Sequence, residues 1–442
     1  MAAEWQKMPF DEAVLLNPQV SLEAGGTYPY VEMRAVEPSY RDVSPSANRK
    51  FMGGGSRFCG GDTLMARITP CLENGKIARF RGPLEDSVGH GSTEFIVIRG
   101  REGVTNNDFA YYLTRSEYVQ NYAISQMSGT SGRQRVPTNA LAHLQVSIPP
   151  LPEQRAIAHI LSSLDDKIEL NRKMNETLGA IARAIFRSWF VDFNPVRAKA
   201  EGRDTGLPKK IADLFSDRFK DSELGEIPAG WQIKTIGDIA ECVRMGPFGS
   251  SIKVETFVAN GIPIISGQHL ASFILEDSTF NFIADAHAEK LYAANVRRGD
   301  IIFTHAGNIG QVAFIPANSR YERYIISQRQ FYMRCDLLQV SPSFITFYFQ
   351  SREGRHKLLA NTSSSGVPSI ARPVTYLKSI ELIVPPKPAL DAYENLFNSL
   401  LFQYQRNLNE SFTLSALRDT LLPKLVSGDL RLRDAEKSVL EI

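Results

Sequence analysis

Residues 157–189 read IAHILSSLDDKIELNRKMNETLGAIARAIFRSW, and this stretch decides how the chain is built. Alternating steps of four and three residues pick out a single seam that is apolar except at Asn171 and Asn175. A period of 3.5 residues held over about 33 residues predicts a helix of roughly 50 Å, which is longer than a domain of ordinary size needs to cover. Pro152 and Glu153 are well suited to its first turn.

The same seam returns 236 residues later, from residue 393 to residue 425, and it is polar at both equivalent positions, Asn407 and Ser411. A shared polar position is what a coiled coil needs to fix its register, so we predict that the two helices pair with each other, antiparallel. The alternative is that each helix packs only on its own domain. The predicted seam residues are Ile157, Leu161, Leu164, Ile168, Asn171, Leu178, Ile185, Tyr393, Phe397, Leu400, Tyr404, Asn407, Leu414 and Leu421.

Short motifs outside the helices repeat at nearly the same offset. Gly61-Asp62-Thr63-Leu64 recurs as Gly299-Asp300-Ile301-Ile302, and Ile148-Pro149-Pro150 recurs as Val384-Pro385-Pro386. Around them, short runs rich in Ile, Val, Phe and Tyr are broken by Gly, Pro, Asn and Ser, which is typical of strands joined by loops. The sequence therefore predicts an α+β protein: a tandem duplication of two loop-rich α/β domains, separated by two long helices that form an antiparallel coiled coil.

This organisation divides the chain into five segments. Each domain carries one shorter helical pattern, through Phe109 and Tyr122 in the first and through Phe344 and Tyr348 in the second. Lysines and arginines in the linker favour a solvated connector, and a basic strap for nucleic acid is the alternative. In chain order we predict a first domain over residues 1–152, a central helix over 153–198, a linker over 199–222, a second domain over 223–386 and a C-terminal helix over 387–442.

Composition narrows the class of protein. Lys and Arg total 50 and Asp and Glu total 48, so the net charge of +2 creates no strong overall field, and anion binding must come from local patches. Four cysteines without a CxxC pair favour a reducing compartment over a disulfide framework or a zinc knuckle. No run approaches about 18 apolar residues, so we expect a cytoplasmic protein that makes no membrane contact.

No sequence motif for catalysis is complete. The chain has no GxSxG elbow, no HExxH and no phosphate loop, and its seven histidines are scattered. Phe51-Met52-Gly53-Gly54-Gly55 superficially matches an S-adenosylmethionine site, but both Pro-Pro pairs follow apolar residues that could not hold a target amino group. We therefore predict no catalytic residues and no cofactor or metal on this chain. The alternatives are a cryptic methyltransferase or nuclease site, and a coiled-coil scaffold that binds no DNA.

A surface repeated at a set separation suits a ligand with two sites at fixed spacing. DNA is such a ligand, because half-sites on one face lie about 34 Å apart. Polar side chains on loops would read base edges, and Lys and Arg would bind phosphates, although any single residue could instead stabilise a turn. The candidate DNA-binding residues are Arg67, Lys76, Arg133, Gln134, Arg135, Thr304, His305, Asn308, Gln311, Gln328, Arg329, Ser365 and Arg372.

Several stretches resemble the specificity subunits of type I restriction–modification systems, and the resemblance covers essentially the whole chain. They are IPPLPEQRAI at residues 148–157, SELGEIPAGW at residues 222–231, and GDIIF with GQVA at residues 299–303 and 310–313. The second helix departs from the family pattern, because residues 386–391 (PKPALD) lack the Glu-Gln pair of the first. That departure concerns local loop geometry.

The resemblance implies a non-catalytic subunit with two target recognition domains, each reading one part of a bipartite site in double-stranded DNA. It implies that the coiled coil sets the unspecified gap between those parts. It also implies two methyltransferase (modification) subunits bound through the helices, with restriction subunits added for cleavage. S-adenosylmethionine, ATP and Mg²⁺ would then belong to these partners.

Overall fold

The computed structural model describes residues 5–84, 86–130, 132–249, 251–277, 279–363, 366–432 and 434–435. Its internal contacts divide the chain into two units. Unit 1 combines the chain up to Met174 with the chain from Arg406 onward, and unit 2 is Asn175–Gln405. Both boundaries fall inside long helices, so each long helix contributes one segment to each unit.

Most helices are short, and two are long. In chain order they are α1 (Phe10–Ala13), α2 (Asn107–Arg115), α3 (Glu117–Ser125), α4 (Thr138–Ala142), α5 (Leu151–Phe190), α6 (Asn194–Ala200), α7 (Lys209–Ala212), α8 (Ile236–Ile239), α9 (Asp285–Lys290), α10 (Pro342–Gln350), α11 (Arg352–Leu359), α12 (Pro373–Ser379) and α13 (Lys387–Ser427). Short 3₁₀ helices lie at Met33–Ala35, Val254–Thr256, Gly267–Leu270 and Tyr292–Ala294. Helices α5 and α13 have 40 and 41 residues. At 1.5 Å per residue each is roughly 60 Å long.

Unit 1 is built around a buried sheet layer. Its strands are β1 (Gln6–Pro9), β2 (Val14–Leu16), β3 (Thr27–Val31), β4 (Asp42–Val43), β5 (Ala47–Lys50), β6 (Ser56–Cys59), β7 (Thr63–Ala66), β8 (Ile77–Phe80), β9 (Val88–Gly91), β10 (Phe95–Gly100) and β11 (Gln145–Ile148). The sheets have the orders β2-β10-β7-β8-β4, β5-β3-β9-β6 and β1-β11. Because side chains alternate along a strand, Ile96 and Ile98 join the core that contains α2, while Phe95 and Val97 join a second core with Phe58.

Unit 2 has the corresponding layers. Its strands are β12 (Phe219–Lys220), β13 (Ile227–Pro228), β14 (Gln232–Thr235), β15 (Ala240–Met245), β16 (Phe257–Val258), β17 (Ile262–Ile265), β18 (Asn281–Ile283), β19 (Asn295–Arg297), β20 (Ile301–Thr304), β21 (Val312–Phe314), β22 (Arg323–Ile326), β23 (Gln330–Cys335), β24 (Thr362–Ser363), β25 (Ser369–Ile370) and β26 (Glu381–Val384). The two larger sheets have the orders β15-β23-β20-β21 and β16-β18-β17-β22-β19. The remaining strands form the pairs β12-β13, β14-β26 and β24-β25.

The two units share one plan, which confirms the predicted duplication. The antiparallel set β2-β10-β7-β8 of unit 1 corresponds to β15-β23-β20-β21 of unit 2. The pair β1-β11 corresponds to β14-β26. The parallel pair β3-β9 corresponds to β17-β22. The chain is therefore an α+β tandem repeat in which each repeat contributes a long helix.

A buried ion pair explains why the Gly-Asp motif occurs twice. Asp62 accepts a hydrogen bond from Arg99 Nε at 2.6 Å in unit 1, and Asp300 accepts one from Arg334 Nε at 2.7 Å in unit 2. Each aspartate also accepts a backbone N–H from the residue three positions earlier. Both carboxylates are fully buried, so each needs these donors. The motif ties the turn before one central strand to the neighbouring strand.

The long helices pack antiparallel within each unit, as predicted. In unit 1, Asp165 of α5 accepts a hydrogen bond from Arg418 Nη1 of α13 at 2.7 Å, and Asn171 Nδ2 donates to Glu410 at 2.9 Å. In unit 2, the rings of α5 and α13 meet edge to face, for example where the centroids of Phe190 and Tyr393 lie 5.2 Å apart. Residue numbers therefore rise along one helix as they fall along the other.

Most of the predicted seam is buried. Leu178, Ile185 and Leu400 are only half-buried, and Phe186 is buried in place of Ile185. A straight helix drifts about 20° per heptad from a 3.5-residue repeat, so a seam extrapolated over five heptads leaves the contact stripe toward the end. The buried seam residues are Ile157, Leu161, Leu164, Ile168, Asn171, Tyr393, Phe397, Tyr404, Asn407, Leu414 and Leu421.

The ends of the long helices differ from the predicted boundaries. Helix α5 ends at Phe190, before the predicted end at residue 198, because Phe193 adopts a left-handed conformation with φ 53°. Helix α13 ends at Ser427, followed by Gly428 with φ 82°, and residues 436–442 lie outside the described part of the chain. A residue with positive φ is a common way to end an α-helix.

Part of the predicted linker is packed. Phe215 is buried, with its ring centroid 5.2 Å from that of Trp189, and Lys199 Nζ donates to the carbonyl of Phe215 at 2.6 Å. Phe215 is therefore packed, whereas Arg203, Lys209 and Lys210 are exposed, as a solvated connector predicts.

Each of the two shorter helical patterns corresponds to two consecutive helices in the structure, α2 and α3 in unit 1 and α10 and α11 in unit 2. Ser116 ends α2 and caps α3, where its hydroxyl accepts from Val119 N at 3.4 Å. Ser351 does the same between α10 and α11, accepting from Gly354 N at 3.2 Å. Serine competes for backbone hydrogen bonds and favours caps over helix interiors, which is the physical reason for both breaks.

Candidate nucleic-acid interface

Three loop segments of unit 1 are hydrogen-bonded to one another beside the ends of β7 and β10. Arg67 N donates to the carbonyl of Glu94 at 2.9 Å, and Val136 N donates to the carbonyl of Arg67 at 2.8 Å. Thr69 N donates to the carbonyl of Gln134 at 3.0 Å. Residues 67–69, 94 and 134–136 form the unit 1 frame.

The equivalent segments of unit 2 are joined in the same way. His305 N donates to the carbonyl of Arg329 at 2.9 Å, and Ile370 N donates to the carbonyl of His305 at 2.8 Å. Gly307 N donates to the carbonyl of Pro368 at 3.1 Å. Residues 305–307, 329 and 368–370 are the unit 2 frame.

The two frames correspond bond for bond. Position 67 corresponds to 305, position 94 to 329, and position 136 to 370. Only backbone atoms make these hydrogen bonds, so the side chains can differ without loss of the scaffold. A rigid backbone that carries variable loop side chains is how many folds build binding sites.

In unit 1 the structure shows that two arginines, which the sequence could not distinguish, have different surroundings. Arg133 is exposed, and its guanidinium has no hydrogen bond or ion pair within the residues that the structure describes. Arg135 is bound to Glu94 by its Nε at 2.9 and 3.0 Å and by its Nη2 at 2.7 Å. This hydrogen bonding lowers the pKa of the Glu94 carboxyl group. Gln134 is half-buried, and the Nε of Arg67 is buried without a partner among the described residues.

Some predicted candidates face inward. Lys76 Nζ donates to the carbonyl of Met33 at 3.2 Å. Thr304 is buried, and its hydroxyl lies 3.3 Å from Gln311 Oε1. Gln311 Nε2 in turn donates to the carbonyl of Gly267 at 2.9 Å. These three side chains hold neighbouring loops in place.

The remaining candidates of unit 2 gather at its frame. His305 is half-buried, with Nε2 3.2 Å from the carbonyl oxygen of Gln328, and burial lowers its pKa. Ser365 lies outside the described residues. The exposed candidates are Asn308, Gln328, Arg329 and Arg372.

Two features of this surface were not predicted. Glu94 occupies a frame position, and no sequence pattern shows that Arg135 faces it. Phe248 is 76% exposed on the loop after β15, and Gly246 N of that loop donates to the carbonyl of Gln330 at 2.8 Å, which holds the loop beside the unit 2 frame. A phenylalanine between Pro247 and Gly249 is a sequence signal for an aromatic side chain on a turn.

The described residues of the two frames offer polar recognition groups. The described residues of the whole chain contain no group of three or more His, Cys, Asp or Glu side chains that could hold a metal ion. None of their helices combines the length and hydropathy needed to cross a bilayer. Fixed donors and acceptors on a rigid frame can bind the edges of bases or phosphate oxygens.

Known proteins resemble this chain over most of its length. Residues 19–180 match the family model described as the type I restriction modification DNA specificity domain. The HindI specificity subunit of Haemophilus influenzae is 25% identical over 416 residues, covering 84% of this chain and 86% of the relative. The MjaIX specificity subunit of Methanocaldococcus jannaschii is 26% identical over 374 residues, covering 81% and 76%.

A solved S subunit of a type I restriction–modification system from M. genitalium is 16% identical, with a TM-score of 0.49, over 95% of this chain and 96% of that chain. The chain is therefore similar, over most of its length, to the specificity subunits of type I restriction–modification systems.

Proposed function

We propose that this chain reads a bipartite sequence in double-stranded DNA, with one specified block contacted by the frame of each unit. The observation that carries the proposal is that one hydrogen-bonded frame occurs twice with different exposed side chains. Unit 1 presents Arg133 beside a paired Glu94, and unit 2 presents Gln328, Arg329 and Arg372. Two frames with equivalent backbones but different exposed side chains would recognise two different blocks of DNA sequence.

The remaining features of the complex belong to the same proposal. Two methyltransferase subunits bind along the long helices, restriction subunits join them for cleavage, and the helices set the unspecified gap. S-adenosylmethionine, ATP and Mg²⁺ bind to those partner subunits, and this chain supplies no catalytic group. The complex works in the cytoplasm. A net charge of +2 supports a DNA grip shared with partner subunits, because salt-dependent affinity scales with the phosphate contacts of the whole assembly.

The methylation pattern of a naive host tests the function. A host that expresses this chain with its methyltransferase partner is expected to acquire a new split motif, with two specified blocks and a gap of fixed length. The partner expressed alone is the control and should add no such motif. Purified complex that leaves no DNA footprint and no methylation would favour the scaffold. Methylation by this chain alone would favour a cryptic methyltransferase.

The two arginines of unit 1 should behave differently when each is changed to alanine. Arg133→Ala is expected to weaken DNA binding by the complex about tenfold and to alter one block only, because its guanidinium is free to bind DNA. Arg135→Ala is expected to weaken binding by no more than about fivefold, because it braces the loop through an exposed ion pair. Fluorescence anisotropy with a duplex that carries the motif measures both. Equal losses would mean that Arg135 also contacts DNA.

A further inference from the structure

The position shared by Glu94 and Arg329 is where the two frames differ most in charge. Both residues offer their backbone carbonyl to the equivalent N–H, so they occupy the same place in the duplicated scaffold. In unit 1 the place holds a carboxylate, and Arg135 satisfies it. In unit 2 the place holds an arginine, and the counterpart of Arg135 is Ser369, which cannot form an ion pair with it.

The backbone of Arg329 is fixed on both sides. Ser327–Gln330 is a tight turn in which Gln330 N donates to the carbonyl of Ser327 at 3.1 Å. The fully buried side chain of Gln330 adds a second bond, since its Oε1 accepts from Ser327 N at 3.0 Å. Gln328 and Arg329 are therefore the two exposed residues at the tip of a rigid turn.

The side chain of Arg329 lies along Gly307, across the unit 2 frame. A Cβ on Gly307 would lie 3.2 Å from Arg329 Nη1 and 3.8 Å from its Cδ, and Gly307 adopts a left-handed φ of 82°. Glycine at this position therefore both permits the turn and leaves room for the arginine. Within the described residues, the guanidinium of Arg329 has no hydrogen bond or ion pair.

We propose that Arg329 is the guanine-reading side chain of unit 2, and that Glu94 with Arg135 at the equivalent place makes unit 1 read a different base. The inference rests on the proposed DNA-binding function. An unpaired guanidinium on a rigid backbone presents a planar pair of donors, and that pair matches the O6 and N7 acceptors of guanine in the major groove. A phosphate group is the competing ligand for the same donors.

The base preference of the intact complex at each position of its motif tests the proposal. The methylated motif and the binding of duplexes with each base pair of the motif substituted in turn are measured for the wild type, Arg329→Ala and Arg329→Lys. Arg203→Ala is the matched control, because Arg203 is an exposed arginine paired with Glu201 in the linker, outside both frames. Thermal unfolding of each variant checks that the fold is retained.

We expect Arg329→Ala to weaken binding of the cognate duplex about 10- to 100-fold and to remove discrimination at a single G·C pair. That pair should lie in the block that Arg133→Ala leaves unchanged. Lysine keeps the charge but not the planar fork, so Arg329→Lys should restore only part of the discrimination.

Other outcomes overturn the inference. A loss that is equal for all sequences, with a salt dependence reduced by about one phosphate contact, would assign Arg329 to the DNA backbone. An unchanged motif with unchanged affinity would remove Arg329 from the interface. A wild-type complex that has no split motif at all would instead refute the proposed function itself.

Discussion

Adding one heptad to both long helices is expected to lengthen the unspecified gap by about three base pairs and to leave both specified blocks unchanged. Seven helical residues add about 10.5 Å, and DNA rises about 3.4 Å per base pair. Duplication of residues 168–174 in α5 and of residues 399–405 in α13 places the additions where the chain passes between units. Each duplicated heptad carries its own seam residues, so the paired surfaces stay in phase.

Insertion into α5 alone is the control for this experiment. The antiparallel partners of α5 would then be displaced by one heptad on one side of the insertion, and contacts such as that of Asp165 with Arg418 could not form together with those of Phe190 with Tyr393. We expect the single insertion to prevent assembly of an active complex. Sequencing of methylated host DNA measures the number of unspecified base pairs between the two specified blocks. An unchanged gap after the matched insertion would mean that the helices do not set it.

The elements with a strong local period were the ones that the sequence could predict. The seam of α5 and α13 depends on the spacing between near neighbours, and that spacing predicted both helices. The duplication helped, because a weak pattern that occurs twice at one offset is hard to obtain by chance. Helix ends were less predictable, because the left-handed residue Phe193 follows no sequence rule as strong as that for glycine.

The candidate interface could be predicted only as a set of loops. Its organisation depends on contacts between residues far apart in sequence, such as Glu94 and Arg135, which are separated by 41 positions. No local pattern distinguishes an arginine that pairs with such a partner from one that stays free, as Arg133 does. The same limit made Lys76 a candidate, although its amine donates to the carbonyl of Met33. Composition is enough to locate the polar loops, but only the folded structure shows which of their side chains are free and which are paired within the protein.

The buried polar cluster between the helices of unit 1 should be replaceable by the apolar residues of unit 2. Asp165 and Arg418 each have 3% of the side chain exposed, and the hydroxyl of Tyr112 donates to the same carboxylate at 2.7 Å. Arg418→Ala alone would leave that carboxylate buried without its cation. We expect this change to lower the free energy of unfolding by about 3–5 kcal/mol.

The residues at the equivalent positions of unit 2 are Phe347, Leu401 and Ala182. The triple variant Tyr112→Phe, Asp165→Leu, Arg418→Ala removes all three side chains at once and leaves no buried carboxylate without its cation. Asp419, which also pairs with Arg418, has 59% of its side chain exposed and can be solvated by water. A buried ion pair can be exchanged for well-packed apolar residues at little cost, so we expect the triple variant to recover stability to within about 1–2 kcal/mol of the wild type. Urea denaturation followed by circular dichroism measures all three proteins. A triple variant as unstable as Arg418→Ala would show that unit 1 requires the polar cluster for packing that unit 2 achieves without it.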